Sequence, residues 1–192
     1  IIPEISAVSI LKVMALAVIV AMVSIVFCLA MKHSHHAFEK YIRNPYIRAI
    51  AGGVAVIVMT LLVGNKDYNG SGLHIIEGIF HGEEVSKFAF ILKIIFTAVT
   101  IGSGFKGGEI VPTLFIGATL GFTMADAVGL PVAFCAAIGM VALFGSVTNC
   151  PIATVFLALE LFGGEGMLYY ALAIFVAFVL SGYFSLYTGQ KI

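Results

Sequence analysis

The stretch Ile101-Gly-Ser-Gly-Phe-Lys-Gly-Gly-Glu-Ile-Val-Pro-Thr-Leu-Phe-Ile-Gly-Ala-Thr-Leu-Gly121 reads as a glycine-rich turn, a proline suited to a first helical turn, and a helix of Thr, Leu, Phe, Ile, Ala and Gly. The first N–H groups of such a helix have no intrahelical acceptor and stand at the positive end of its dipole. Bare glycines at Gly107 and Gly108 let an ion approach them. The pattern predicts a desolvating cradle for a small anion, built from backbone and lacking the full positive charge that would hold the ion too tightly for transport. Gly102-x-Gly104-x-x-Gly107 also matches the dinucleotide fingerprint in form. That fingerprint needs a preceding strand, a crossover unit and an acid ending a second strand, and the surroundings supply none of them. No Gly-Lys-Ser/Thr follows the glycines, so a Walker A loop is absent.

The surroundings are membrane-grade. Of 192 residues, 61% are hydrophobic and 10% charged, with mean hydropathy +1.12, whereas soluble domains carry roughly a quarter charged residues. These values exclude a water-soluble globular enzyme and a disordered chain. Ten basic residues balance ten acidic ones, so no net charge steers the chain toward nucleic acid, and none is expected as a partner. Cys28, Cys135 and Cys150 are odd in number and lack CxxC spacing, and they read as buried small hydrophobes. The start, Ile1-Ile2-Pro3-Glu4, has no Met, basic n-region or cleavage motif and is expected to lie in mid-protein.

Val8 to Met31 is apolar except for Lys12 and serines and is long enough to cross a bilayer core of about 30 Å. Two long helices are expected, at about 6–36 and 44–63. Between them a polar connector runs from Lys32 to Lys40, and with Arg43 and Arg48 it holds four of the ten basic residues, which places it on the cytoplasmic side. Gly64 to Gly70 ends the second helix with turn chemistry. Beyond it the apolar stretches shorten: Leu73 to Phe80, Phe88 to Ile101, Pro112 to Met124, Pro131 to Phe144, Cys150 to Phe162 and Met167 to Leu180. Most fall short of the ~17 residues needed to span alone. Irregular backbone at membrane depth is tolerated only where protein buries it or a polar cavity meets it, so a row of half-length helices points to a pathway. The expected fold is all-α, a polytopic membrane protein with broken and re-entrant helices.

Gly107-Gly108-Glu109-Ile110-Val111-Pro112, followed by Leu114 to Gly121, resembles the Gly-x-Phe-x-Pro anion-binding segment and helix of the CLC chloride channels and transporters. Gly139-Met-Val-Ala through Pro151 and on to Leu161 resembles that family's Gly-Met-x-Ala-to-Pro segment, and Ser185-Leu186-Tyr187 resembles the start of its last helix. The resemblance runs from about Tyr68 to the C-terminus, with the two long helices fitting by order and length. It implies one inverted-repeat half of a CLC-type fold, with residues 1–192 as the C-terminal half of the transmembrane domain. It further implies anion transport, of chloride or another halide, by a voltage-gated channel or a halide/proton antiporter in a multi-pass protein of the cell membrane. The partners implied are the N-terminal half of the same subunit, a second copy in a homodimer and the lipid bilayer; no cofactor, metal site or enzymatic activity is implied. By position, the amides of Glu109 and Ile110 would bind the anion, Gly107, Gly108 and Pro112 would shape the loop, and the Tyr187 hydroxyl would donate from another helix, with Tyr183 as runner-up.

Glu109 stands where chloride-type members commonly carry an aliphatic residue, and Ile110 where Phe is usual. A Gly-Gly-Glu-x-x-Pro version resembles the branch that includes fluoride/proton antiporters, although Val111 stands where a hydroxyl residue is expected in fluoride-selective relatives. A carboxylate beside an anion pathway repels the ion when ionised and can carry a proton when neutral, so Glu109 is a candidate proton carrier or gate. His33, His35 and His36 read as part of a solvated loop, Glu83-Glu84 as an acid pair at a helix N-terminus, and Glu160 as an intramembrane or interfacial acid near a helix end. An intramembrane protease would need paired aspartates, a Ser/His pair or a metal triad on membrane helices. The five histidines lie in connectors or at the ends of Leu73 to His81, and Asp126 is the only aspartate in the second half. A structural subunit completing a partner's pore is the third reading.

Overall fold

The computed structural model describes residues 2–187 and contains eight α-helices and no strand among them. Helix α1 (Ala7–Tyr41) opens on a capped turn in which the Ser6 hydroxyl accepts from the Ser9 N–H at 3.1 Å. Its 35 residues extend about 52 Å, well beyond a bilayer core. Val13, Leu16, Ala17, Val20, Ala21, Ser24, Phe27, Cys28 and Met31 recur at helical spacing and form its buried stripe.

The polar residues 32–41 continue this helix instead of leaving it as a connector, so the expected end near residue 36 and the expected loop around His33, His35 and His36 are both corrected. Most of the side chains are exposed, as a solvated segment requires, with Ser34 and Phe38 half-buried. The backbone stays helical because exposed polar residues can support one another along the surface: His35 pairs with Glu39 one turn on at 3.4 Å, and Arg48 reaches the same carboxylate at 3.6 Å.

Helix α2 (Pro45–Val63) starts with Asn44 accepting from the Tyr46 N–H at 3.0 Å and with proline in its first turn, and ends at the left-handed Gly64. Of its residues only Gly52 is buried. Six further helices follow, five of them shorter than α2 and α5 equal to it in length: α3 (Leu73–His81), α4 (Ala89–Gly102), α5 (Ile110–Val128), α6 (Val132–Thr148), α7 (Pro151–Phe162) and α8 (Met167–Ser181). By length and composition α1, α2 and α5 can cross a membrane, while α4, α6, α7 and α8 are shorter apolar helices. Two details depart from the sequence reading. Helix α5 begins at Ile110, two residues before Pro112, which still lies in the first turn where no N–H is needed. Glu83 and Glu84 lie in the loop after α3, with the Glu83 N–H donating to the Gly78 carbonyl at 2.8 Å, and α4 does not begin until Ala89.

The core forms where α5 and α6 pack on each other and α8 and α1 close over them, with Leu16, Phe27, Ile116, Leu120, Ile138 and Leu143 fully or almost fully buried. Small residues set how close α5 and α6 come. A side-chain carbon at Gly117 would fall on the backbone carbonyl of Gly139, and one at Gly121 on that of Cys135. In lipid, where apolar side chains gain little by leaving the solvent, such backbone approach carries the association of helices. Helix α4 is tied to α1 by the Ser34 hydroxyl, which donates to the Ala98 carbonyl at 2.6 Å.

Candidate anion site

Helix α4 ends at Gly102, and the chain reverses through Gly104, whose φ of 96° lies in the left-handed region that favours glycine. The bend from Phe105 to Glu109 then feeds α5. Thr113 holds its inner end: its N–H donates to the Glu109 carbonyl at 3.1 Å and its hydroxyl to the same oxygen at 2.7 Å. No acceptor among the described residues receives the N–H groups of Gly107, Gly108, Glu109, Ile110 or Val111. Five consecutive donors, unaccepted among the described residues, therefore stand at the positive end of a 19-residue helix dipole.

The two glycines of the bend differ from the others in the helix pair. Among the described residues nothing lies within 4 Å of a side-chain carbon placed on Gly108, and only Cγ1 of Ile101, at 4.0 Å, comes that near at Gly107. Neither residue has the positive φ that favours glycine. Among the described residues, neither close packing nor a positive φ calls for glycine at these positions.

Gly107, Gly108, Val111 and Pro112 line one side of a cavity of about 450 Å³. Its other walls are Val56 of α2, one face of α4 including Lys93, Thr97 and Thr100, and the loop from Tyr68 to Ser71. Lys93, 1% exposed, donates to the carbonyls of Gly70 at 2.7 Å and Tyr68 at 3.2 Å, and its ammonium lies 4.8 Å from the centre of the Phe115 ring. The sequence reading passed over this lysine by treating Phe88 to Ile101 as one apolar stretch. The signal was present, because an ionisable residue inside an apolar helix marks a functional position by default.

Of the residues singled out from sequence, Gly107, Gly108 and Pro112 meet on the cavity wall, and Glu109 and Ile110 adjoin them at the start of α5. Glu109 is half-buried, with no ion-pair or side-chain hydrogen-bond partner among the described residues, and Ile110 is 48% exposed. Tyr187 is not among the cavity-lining residues. Its segment docks on the end of α6: the Ser185 hydroxyl and the Leu186 N–H donate to the Val147 carbonyl at 3.1 and 3.0 Å, and the Tyr187 N–H donates to the Ser185 hydroxyl at 3.1 Å. The helix that this segment was expected to start lies outside the described residues. Tyr183 is 85% exposed.

The sequence model of the voltage gated chloride channel family matches residues 2–182. The chain belongs to that family. A chloride/fluoride channel protein of Pseudomonas syringae pv. tomato is 34% identical over 191 residues, which make up 96% of this chain and 42% of that protein. The crystal structure of a CLC-type fluoride/proton antiporter superimposes with a TM-score of 0.95 at 30% identity, covering 98% of this chain and 48% of the other. The chain thus has a CLC-type membrane fold and spans about half the length of these relatives. Within that family fold, the free donors of the bend open α5, and α4 and α2 stand behind them.

Proposed function

We propose that this chain supplies the anion-binding bend of a CLC-type transport protein, as the C-terminal half of its transmembrane domain, and that the complete subunit carries halide across a cell membrane as a channel or a halide/proton antiporter. One observation carries the reading: five adjacent main-chain donors without an acceptor among the described residues, at the start of a long helix in a chain built for lipid. Such donors solvate a desolvated anion without a fixed formal charge on the ligating groups, so the ion is bound and still released. The amides of Glu109 and Ile110 are the proposed ligands, Gly107, Gly108 and Pro112 shape their approach, and Tyr187 is the proposed hydroxyl donor in the complete subunit. The transported ion is the only small molecule that the reading requires; transport, and not catalysis, is the activity, and a second copy completes a homodimer.

The Gly-Gly-Glu sequence of the bend and the likeness to a fluoride/proton antiporter favour fluoride with proton exchange as the second reading. Glu109 supports it, being a half-buried carboxylate within the donor segment that has no ion-pair partner among the described residues. The two readings separate in liposomes containing the complete subunit, with ion-selective electrodes recording chloride and fluoride efflux and a pH dye recording protons. The proposal expects halide efflux well above protein-free liposomes, and the second reading adds fluoride preference with proton movement in the opposite direction. Efflux no faster than from protein-free liposomes for either ion would overturn both.

A further inference from the structure

Lys93 is a buried cation whose ammonium contacts neutral, electron-rich groups: two carbonyl oxygens and the face of Phe115. Among the described residues no carboxylate lies within ion-pairing distance of it. A buried charge is ordinarily paired, because leaving water costs far more than two carbonyl hydrogen bonds return. Lys93 is also one of the residues lining the cavity that the anion bend lines. One turn along the same face of α4, Thr97 is 6% exposed and lines the same cavity, and its hydroxyl makes no hydrogen bond among the described residues. A buried lysine and an unused hydroxyl on α4 therefore share a cavity with a bend whose N–H groups have no acceptor among the described residues.

We propose that Lys93 is an affinity-setting residue of the anion pathway: held in the cavity wall by the carbonyls of Tyr68 and Gly70, it adds an uncompensated positive charge to the field at the Gly107 to Val111 donors. The inference rests on the anion-binding reading of that bend. The ammonium does not ligate the ion; it acts through the low-dielectric interior, where one unpaired charge is felt across several ångströms. This arrangement lets backbone amides do the ligation while a charge set back from the path raises occupancy. The two carbonyl bonds place it, so Lys93 is also what pins the Tyr68 to Gly70 loop to α4.

The test is chloride and fluoride binding to the purified complete subunit by titration calorimetry, with thermal melting recorded on the same samples. Lys93→Met is expected to weaken binding of both anions about tenfold, and Lys93→Arg to stay within about threefold of the parent. Unchanged affinity in Lys93→Met with a lowered melting temperature would make the lysine a structural clip and overturn the proposal. Should Lys93→Met fail to fold, Lys93→Gln, which retains donors for the carbonyls without the charge, carries the same expectation. If neither neutral variant folds while Lys93→Arg folds and binds normally, the charge serves folding alone and the proposal is again overturned. Replacing the Ile110 amide by an ester separates the two layers: loss of binding there with full binding in Lys93→Met removes this inference and leaves the site standing.

Discussion

Gly121→Ala is expected to destabilise the complete subunit by about 3 kcal/mol or more, while Gly108→Ala leaves stability within about 0.5 kcal/mol of the parent and reduces anion binding instead. Both changes add one methyl group, and they differ in what it meets. At Gly121 it meets backbone of α6: the Cys135 carbonyl carbon at 2.6 Å and the Ala136 Cα at 2.8 Å, neither of which can rotate away. Accommodating it means separating α5 from α6 along their whole contact, which breaks the packing that places the start of α5. At Gly108 the methyl group meets open space. It narrows the approach to the free donors without straining the fold. Unfolding in detergent and halide titration on the same preparations measure both halves of the prediction. A Gly121→Ala protein as stable as the parent would show that the α5 and α6 backbones are not in contact, and a Gly108→Ala protein with unaltered binding would show that nothing approaches the bend.

Glu109→Gln should separate proton movement from anion movement. Glutamine keeps the size and hydrogen-bonding reach of the side chain and removes its capacity to take up and release a proton. The carboxylate has no ion-pair partner among the described residues, so no salt bridge is lost with the charge and the backbone of the bend, held by Thr113, has no cause to move. In liposomes, proton movement driven by a halide gradient should fall about tenfold or more, while halide flux persists and its selectivity shifts, because the array no longer stands beside a group that is negative when ionised. Coupling and selectivity identical to the parent would remove Glu109 from the mechanism and leave the amide of that residue as its sole contribution.

The parts legible in the sequence are those that local chemistry decides. Gly64, Gly129 and Gly163 end helices where turn residues interrupt apolar runs, and the six short stretches read from composition correspond to α3 through α8. The bend was legible for the same reason, since free N–H groups follow from glycines placed ahead of a helix start. What escaped depends on contacts between distant segments. Residues 32–41 looked like a loop because they are polar, yet Glu39 and Arg48 hold one another across the turn between α1 and α2. Lys93 was hidden by the apolar residues around it, and its partners at Tyr68 and Gly70 lie more than twenty positions away. The cavity combines α2, α4 and the bend, so no single window of sequence contains it. The exchange of Gly117 and Gly139 across α5 and α6 was likewise invisible beyond a general abundance of glycine.

The central claim is that main-chain donors of the bend hold the anion, and the most direct measurement is halide binding to the complete subunit in which the Ile110 amide has been replaced by an ester. That exchange deletes one N–H and leaves the Ile110 side chain and the start of α5 in place, where the helix makes no use of the donor. Halide affinity lowered by about tenfold, with melting temperature unchanged, is the result predicted for one lost ligand to a desolvated anion. Affinity equal to the parent's would contradict it and place the anion elsewhere.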